Sequence, residues 1–351
     1  AAMIGDHCIA AIGDACIKDI RNFDIGKAYE AMRKNAFESP ADEKDYLDGM
    51  GRRALRSYLK YGYIPLEDGV PDAFHVKEQV SRTLEYAYDD FVLAQVARLL
   101  QKEEDYKVLS ARARNYRHVI DPQTGYAQGR HADGTFLKEQ NAFQFTKFIT
   151  EGAPCHYTWY VPHDPYGLME CMGGRDNFVQ KLDSMFSEHR YWHGNEPCHQ
   201  VAFMFNYAGE PWKTQQAVRH IMETEYLNAP GGLSGNDDAG QMSAWYIFAS
   251  LGFYPVCPGS PFYVLASPSF PKAVLHLENG KSFILQAENA SEENIYIQKV
   301  TLNGKAYTKN YISHKDIIAG GEMVFTMGNT PNKTWGNTPE DCPPSLIEVA
   351  E

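Results

Sequence analysis

The sequence predicts a mainly helical protein that ends in a small antiparallel β-sandwich. Three observations predict it. Apolar residues recur at three- and four-residue spacing through most of the chain up to Pro255. Beyond Pro255 they gather in short β-type runs separated by turn residues. The joint Cys257-Pro258-Gly259 lies between the two patterns and sets the expected domains at 1–255 and 256–345.

Helices are predicted at His7–Ile20 and around Lys27–Asn35, where Ala28, Met32 and Ala36 share a face. Another runs from Asp42 to Tyr61 and ends at Gly62-Tyr63-Ile64-Pro65, because proline cannot continue it. Val80, Leu84, Ala87, Phe91, Ala94 and Leu99 mark the next. Asp105–Val119 follows, then the stretch carrying Phe178, Leu182 and Met185. Cys198–Tyr207, Pro211–Tyr226 and Ala239–Leu251 complete the helical part. The loops between them are long and rich in Gly, Pro and His, the usual place for function on a helical scaffold. Strands are predicted at Phe262–Leu265, Ala273–Leu277, Phe283–Leu285, Ile295–Ile297 and Met323–Phe325. Asn303-Gly304 signals a two-residue hairpin turn. The end, from Pro339 to Glu351, reads as loosely held.

The 351 residues are ample for a sizeable core, and 44% are hydrophobic. A net charge of −12 argues against nucleic acid and anionic membranes as partners. No apolar run reaches the roughly 18 residues that a membrane span needs. The start, Ala1 to His7, lacks the basic residues and apolar run of a signal peptide and reads as a chain entered in mid-domain. The seven cysteines are scattered, with no CxxC and no zinc spacing. Most read as buried free thiols, and they leave the compartment open.

The segment Gly235-Asn-Asp-Asp-Ala-Gly-Gln-Met-Ser-Ala-Trp-Tyr246 carries the strongest chemical signal. Asp237 and Asp238 sit on a tight turn at the start of a helix, where the dipole favours anions. That layout suits a cation site or the activation of water, and equally a plain helix cap. A second acidic site, Thr150-Glu151-Gly152, lies far upstream. Two carboxyl groups brought together by the fold are what glycosidic bond hydrolysis needs.

The chain resembles the calcium-dependent exo-α-mannosidases of glycoside hydrolase family 92. The resemblance starts at Ile4-Gly5-Asp6-His7 and passes through Thr83 to Asp90, Thr150-Glu151-Gly152, Tyr157-Thr158-Trp159 and Val161-Pro162-His163-Asp164. It continues through His193-Gly194-Asn195-Glu196-Pro197, Asn206 to Gly209, Pro211 to Gln215 and Gly235 to Tyr246. In the tail it includes Leu302 to Lys305, Met327-Gly328 and Trp335-Gly336. The resemblance implies part of an (α/α)₆ barrel. It also implies an N-terminal β-sandwich and first barrel helices upstream of this chain. Two departures stand out: Ala153-Pro154-Cys155-His156 replaces the usual continuation after the acid motif, and the segment before His193 is shorter than usual.

By the same resemblance Glu151 is the candidate general acid, with Phe148, Ile149 and Tyr157 as apolar surroundings that favour a protonated carboxyl. Asp238 is the candidate general base and Asp237 its alternative. The family is inverting, which implies a carboxyl separation of about 6.5–9.5 Å. Glu196, Asn195 and Asp238 are candidate Ca²⁺ ligands, since calcium takes oxygen donors. His193 and His199 hint at zinc, but no third ligand has the right spacing. Trp159, His163, Asp164 and His193 are candidate substrate contacts, or supports behind them. Glu85, Asp89 and Asp90 read either as a solvated helix face or as residues facing the barrel mouth. The implied activity is release of terminal mannose from α-mannosides, α-1,2 most commonly, in the periplasm or outside the cell. The competing readings are another (α/α)₆ α-glycosidase and a glycan-binding or inactive fragment.

Overall fold

The computed structural model describes residues 4–68, 77–138 and 141–346. It divides into two compact units: 1–177 with 258–260 and 346–351, and 178–257 with 261–345. The division falls inside one helix, Arg175–Ser187.

The first unit is helical. Its elements are α1 (His7–Ile17), α2 (Ile25–Phe37), α3 (Glu43–Leu47), α4 (Leu55–Tyr61), α5 (Gln79–Leu99), α6 (Glu103–Arg112), a 3₁₀ turn at Asn115–Val119, α7 (Pro154–Tyr157) and α8 (Pro165–Cys171), before α9 (Arg175–Ser187) begins. Helix α5 is the centre: every residue from Gln79 to Ala97 is buried, and α1, α2, α6 and the 3₁₀ turn pack around it. A helix enclosed on all faces must pair whatever polar groups it carries. Asp90 accepts from Arg52 Nη1 (2.6 Å), from Arg112 Nε and Nη2 (2.7 and 2.9 Å) and from the Tyr58 hydroxyl (3.0 Å). Glu85, Asp89 and Asp90 therefore do not form a solvated face; they are 2%, 0% and 0% exposed.

The expected helix from Asp42 to Tyr61 is two helices. Gly49 and Gly51 adopt φ of +80° and +69° between α3 and α4, which stops a right-handed helix. A Cβ on Gly49 would also collide with the Arg53 guanidinium. The expected Asp105–Val119 helix likewise stops at Arg112 and continues only as 3₁₀ turn.

The second unit holds most of α9, 3₁₀ turns at Glu196–Cys198 and Val201–Asn206, α10 (Pro211–Thr224) and α11 (Gln241–Leu251), followed by the strands. Cys198–Tyr207, expected as α-helix, is 3₁₀ throughout its helical residues. Strands β1 (Phe253–Tyr254), β2 (Phe262–Leu265) and β7 (Tyr311–Ser313) form one antiparallel sheet in the order β1-β2-β7. Strands β3 (Lys272–His276), β4 (Ser282–Glu288), β5 (Tyr296–Leu302), β6 (Lys305–Ala306) and β8 (Gly321–Gly328) form the other, in the order β3-β4-β8-β5-β6. A short helix α12 (His314–Ile318) precedes β8. Strands β4 and β8 pair in parallel; the other named pairs are antiparallel. Asn303 and Gly304, with φ of +50° and +76°, make the expected two-residue turn and set Leu302 opposite Lys305. Alternate residues point inward: Phe283, Leu285 and Ala287 from β4 meet Met323, Phe325 and Met327 from β8, with Ile297 and Val300 from β5. Phe248 and Leu251 of α11 pack against that core.

Candidate active site

In the first unit Glu151 sits on a loop bolted to the start of α5. The Glu78 amide donates to the Lys147 carbonyl (2.8 Å), the Val80 amide to the Phe148 carbonyl (3.1 Å), and the Thr150 amide to Ser81 Oγ (2.9 Å). Glu151 itself has φ of +47°. A side chain in the left-handed region costs of order 1–2 kcal/mol, so the surrounding bonds must hold it there. Behind the loop, the Tyr157 hydroxyl of α7 donates to Glu85 Oε1 at 2.9 Å. Burial pushes the Glu85 carboxyl above its ordinary range, against the pull of His7 and Tyr157. Phe148, Ile149 and Tyr157 are buried, but Glu151 is exposed, so the expected apolar enclosure is not built by these neighbours.

A cavity of about 230 Å³ lies in the same unit, walled in part by Asp6, Asn35, Arg52, Arg53, Arg82 and Tyr86. Arg52 spans Asp90 and Asp6, the latter at 3.4 Å from Nε. Burial disfavours its charge, but Asp90, Asp89 and Asp6 outweigh burial and keep it protonated. Arg52 Nη2 is buried with no hydrogen-bond partner, and so is Asp89 Oδ1. Arg52 lines the cavity, and an orphaned donor there is what a hydroxylated ligand or ordered water satisfies. Arg52, Arg53 and Arg82 carry no signal of this in the sequence, since arginines in stretches expected to be helical look like solvent-facing residues.

In the second unit two loops meet at glycines. A Cβ on Gly235 would collide with the Gly194 carbonyl and Cα, and one on Gly194 would lie 2.7 Å from the Ser234 carbonyl. Only glycine on both sides permits that approach. It joins the loop that continues into Asn195-Glu196 to the loop that continues into Asp237-Asp238. The two aspartates differ. Asp237 is half-buried, its Oδ1 accepts from the Ser243 amide (2.9 Å), and its carbonyl accepts from the Gly240 and Gln241 amides (3.1 and 2.7 Å). Asp238 is exposed in the left-handed region (φ +43°), and its carboxylate accepts no hydrogen bond from the described residues.

Below these loops lies a packed aromatic and imidazole layer. His193 is 1% exposed, with Nδ1 2.7 Å from the Tyr191 hydroxyl and Nε2 2.6 Å from the Tyr226 hydroxyl. The Tyr226 hydroxyl donates to the Met242 carbonyl (3.0 Å), so it accepts from His193. His193 stacks on His199 at 4.6 Å and meets the Trp245 edge at 4.5 Å. Among the described residues no three His, Cys, Asp or Glu side chains gather to hold a metal. Asn195, Glu196 and Asp238 are all oxygen donors, which fits calcium rather than zinc, while both His193 nitrogens are engaged.

Residues 1–329 match the model of the glycosyl hydrolase family 92 catalytic domain. This chain belongs to glycosyl hydrolase family 92. Its structure is similar to that of a family 92 α-mannosidase from Bacteroides thetaiotaomicron, with TM-score 0.88 and 40% identity, over 98% of this chain and 44% of that one. A family 92 inverting mannosidase from the same organism gives TM-score 0.90 and 36% identity, over 98% of this chain and 48% of that one. A curated relative described as an uncharacterized secreted glycosidase, from Arthroderma benhamiae, is 30% identical over 97% of this chain and 47% of its own length. The chain thus spans about half the length of the relatives it matches. The expected fold class, helical with a strand-rich tail and of the family's (α/α)₆ type, is borne out by these matches.

Within this family 92 chain, the four candidates for substrate contact, or for support behind it, are interior. Trp159 is 0% exposed, His163 2% and Asp164 3%. Asp164 caps α8 through the Gly167 amide (3.0 Å) and accepts from the Tyr116 hydroxyl (2.6 Å). His163 Nε2 lies 2.8 Å from the Ala113 carbonyl, and its ring stacks on Tyr88 and Phe91. Enclosed to this degree, these residues and His193 fit the reading of supports rather than contacts.

His163 has a measurable consequence. Burial lowers its pKa below 6.5, with the Ala113 carbonyl and Asp164 opposing. The unfolded chain takes up that proton as pH falls below about 6.5 and the folded chain resists it. The stabilisation is therefore complete above that pH and is lost below it. A His163→Phe variant keeps the stacking and should lose less stability than wild type between pH 7.5 and pH 5, read from thermal midpoints. Equal losses would show that His163 does not couple to folding.

Proposed function

We infer that this chain carries the catalytic machinery of an exo-acting α-mannosidase that releases terminal mannose, α-1,2-linked by preference, with inversion and with Ca²⁺. The observation that carries the reading is the Gly194–Gly235 approach, which brings the segment leading into Asn195-Glu196 against the segment leading into Asp237-Asp238. Asp238 is the base: its carboxylate accepts no hydrogen bond from the described residues, whereas that of Asp237 is committed to the Ser243 amide. Glu151, on a strained and exposed turn, is the acid that protonates the departing oxygen. Asn195, Glu196 and Asp238 would hold the calcium ion, which, when bound, polarises sugar hydroxyls and orients the ring. The cavity by Arg52 and Asp6 supports binding of a neutral, hydroxyl-rich sugar, since its orphaned donor and paired charges answer hydroxyls rather than an ionic group. The strand-rich residues 256–345 are a supporting domain. By the family pattern an N-terminal β-sandwich completes the pocket. A secreted or periplasmic place accords with the naming of the Arthroderma relative.

The test uses the full-length protein and α-1,2-mannobiose, with the first-formed mannose followed by NMR. The β-anomer should appear first. Chelation with EDTA should abolish turnover, and added Ca²⁺ should restore it. Release of the α-anomer would overturn inversion, and full activity in EDTA would overturn the role of calcium.

A further inference from the structure

Two phenylalanines stand in solvent beside the acid loop. Phe145 is 67% exposed and Phe143 42%. Exposed large apolar side chains grouped on one loop mark a binding surface more often than chance placement does. This loop is not loose. The Phe143 amide donates to Asn141 Oδ1 (2.9 Å), the Cys155 amide to the Ala142 carbonyl (2.9 Å), and the Thr146 amide to the Gly152 carbonyl (3.4 Å). The last two bonds join the loop to the residues directly after Glu151. Phe143 is braced edge-on by Tyr126 at 5.5 Å, and Phe145 by His156 at 6.1 Å.

Proton transfer requires the departing oxygen to come within hydrogen-bond reach of the acid, about 2.6–3.2 Å. The departing sugar is attached to that oxygen. It therefore sits against the side chains nearest Glu151 in the fold, and the Phe145 loop is tied to the very next residue. A sugar ring presents an apolar C–H face that packs on an aromatic face. We propose that Phe145 is the platform for the leaving sugar, a specificity-determining residue that selects substrates whose leaving group is itself a saccharide. The proposal rests on Glu151 as the proton donor.

The experiment compares two substrates on the full-length protein: α-1,2-mannobiose, and α-mannosyl fluoride, which has no leaving sugar and needs little protonation. Phe145→Ala should lower kcat/KM for the disaccharide by roughly tenfold and leave the fluoride within about twofold. Phe145→Trp, which keeps an aromatic face, should retain most disaccharide activity. Equal loss on both substrates would mean that Phe145 is covered by the remainder of the protein, and no loss on either would mean that nothing stacks there; each overturns the proposal. Glu151→Gln, run on the same pair, separates the two ideas. If it spares the fluoride and loses the disaccharide while Phe145→Ala changes neither, the platform alone fails. If it hydrolyses the disaccharide normally, the acid assignment fails and takes the platform with it.

Discussion

Glu151→Gln in the full-length protein is expected to hydrolyse α-1,2-mannobiose about 10²- to 10⁴-fold more slowly than wild type, the usual contribution of a positioned general acid. Folding stability should hardly change. Glu151 is exposed, and its loop is held through the backbone of residues 147, 148 and 150, none of which the substitution alters. Glu151 lies in the left-handed region, as Glu78 and Asp238 also do. A β-carbon pays a steric penalty at +47°, and stability alone would favour glycine or asparagine at such a turn. Unchanged turnover in the Gln variant, with the fold intact by circular dichroism, would refute the assignment.

The largest stability effect is expected at Asp90. Its two oxygens accept four hydrogen bonds, three of them from the guanidinium groups of Arg52 and Arg112. Asp90 is fully buried, and the Arg52 and Arg112 side chains are 1% and 11% exposed. Asp90→Asn keeps the shape but removes the counter-charge and turns one acceptor into a donor facing guanidinium. Leaving buried positive charge unpaired costs about 3–5 kcal/mol. Urea denaturation should show that loss. The double variant Asp90→Asn, Arg112→Met should recover part of it, because the pair is coupled. A loss below about 1 kcal/mol would mean that water reaches the cluster and screens it.

Asp90 also marks where reading from sequence stops. The periodic apolar residues of α5 were legible, as Val80, Leu84, Ala87 and Phe91 show. The burial of Glu85, Asp89 and Asp90 between them was not, because their partners come from elsewhere: Arg52 and Arg112 for Asp90, Tyr157 for Glu85. A charged residue on a helix looks the same in sequence whether water or an arginine 22 positions away meets it. The break between α3 and α4 was carried by Gly49 and Gly51, but two glycines amid helix-forming residues were outweighed by their neighbours. The 3₁₀ geometry of Val201–Asn206 has no local signature at all.

The acidic loops were legible as motifs, and so were their glycines. How they approach one another was not. Gly194 and Gly235 lie in separate motifs, and only folding shows that each is glycine because of the other. The same holds for His163, Asp164, Trp159 and His193, which read by residue type either as substrate contacts or as supports behind them, and lie buried by packing.

By itself the sequence determined the family, the helical body and strand-bearing tail, the Asn303-Gly304 hairpin and the short list of carboxylates, because each depends on local pattern or ordered motifs. Only the tertiary structure decided which polar residues are enclosed, which of two adjacent aspartates is free of a cap, and which aromatics remain in solvent beside the Glu151 loop. Those are properties of burial and of partners distant along the chain, and a one-dimensional string contains no information on distance until it is folded.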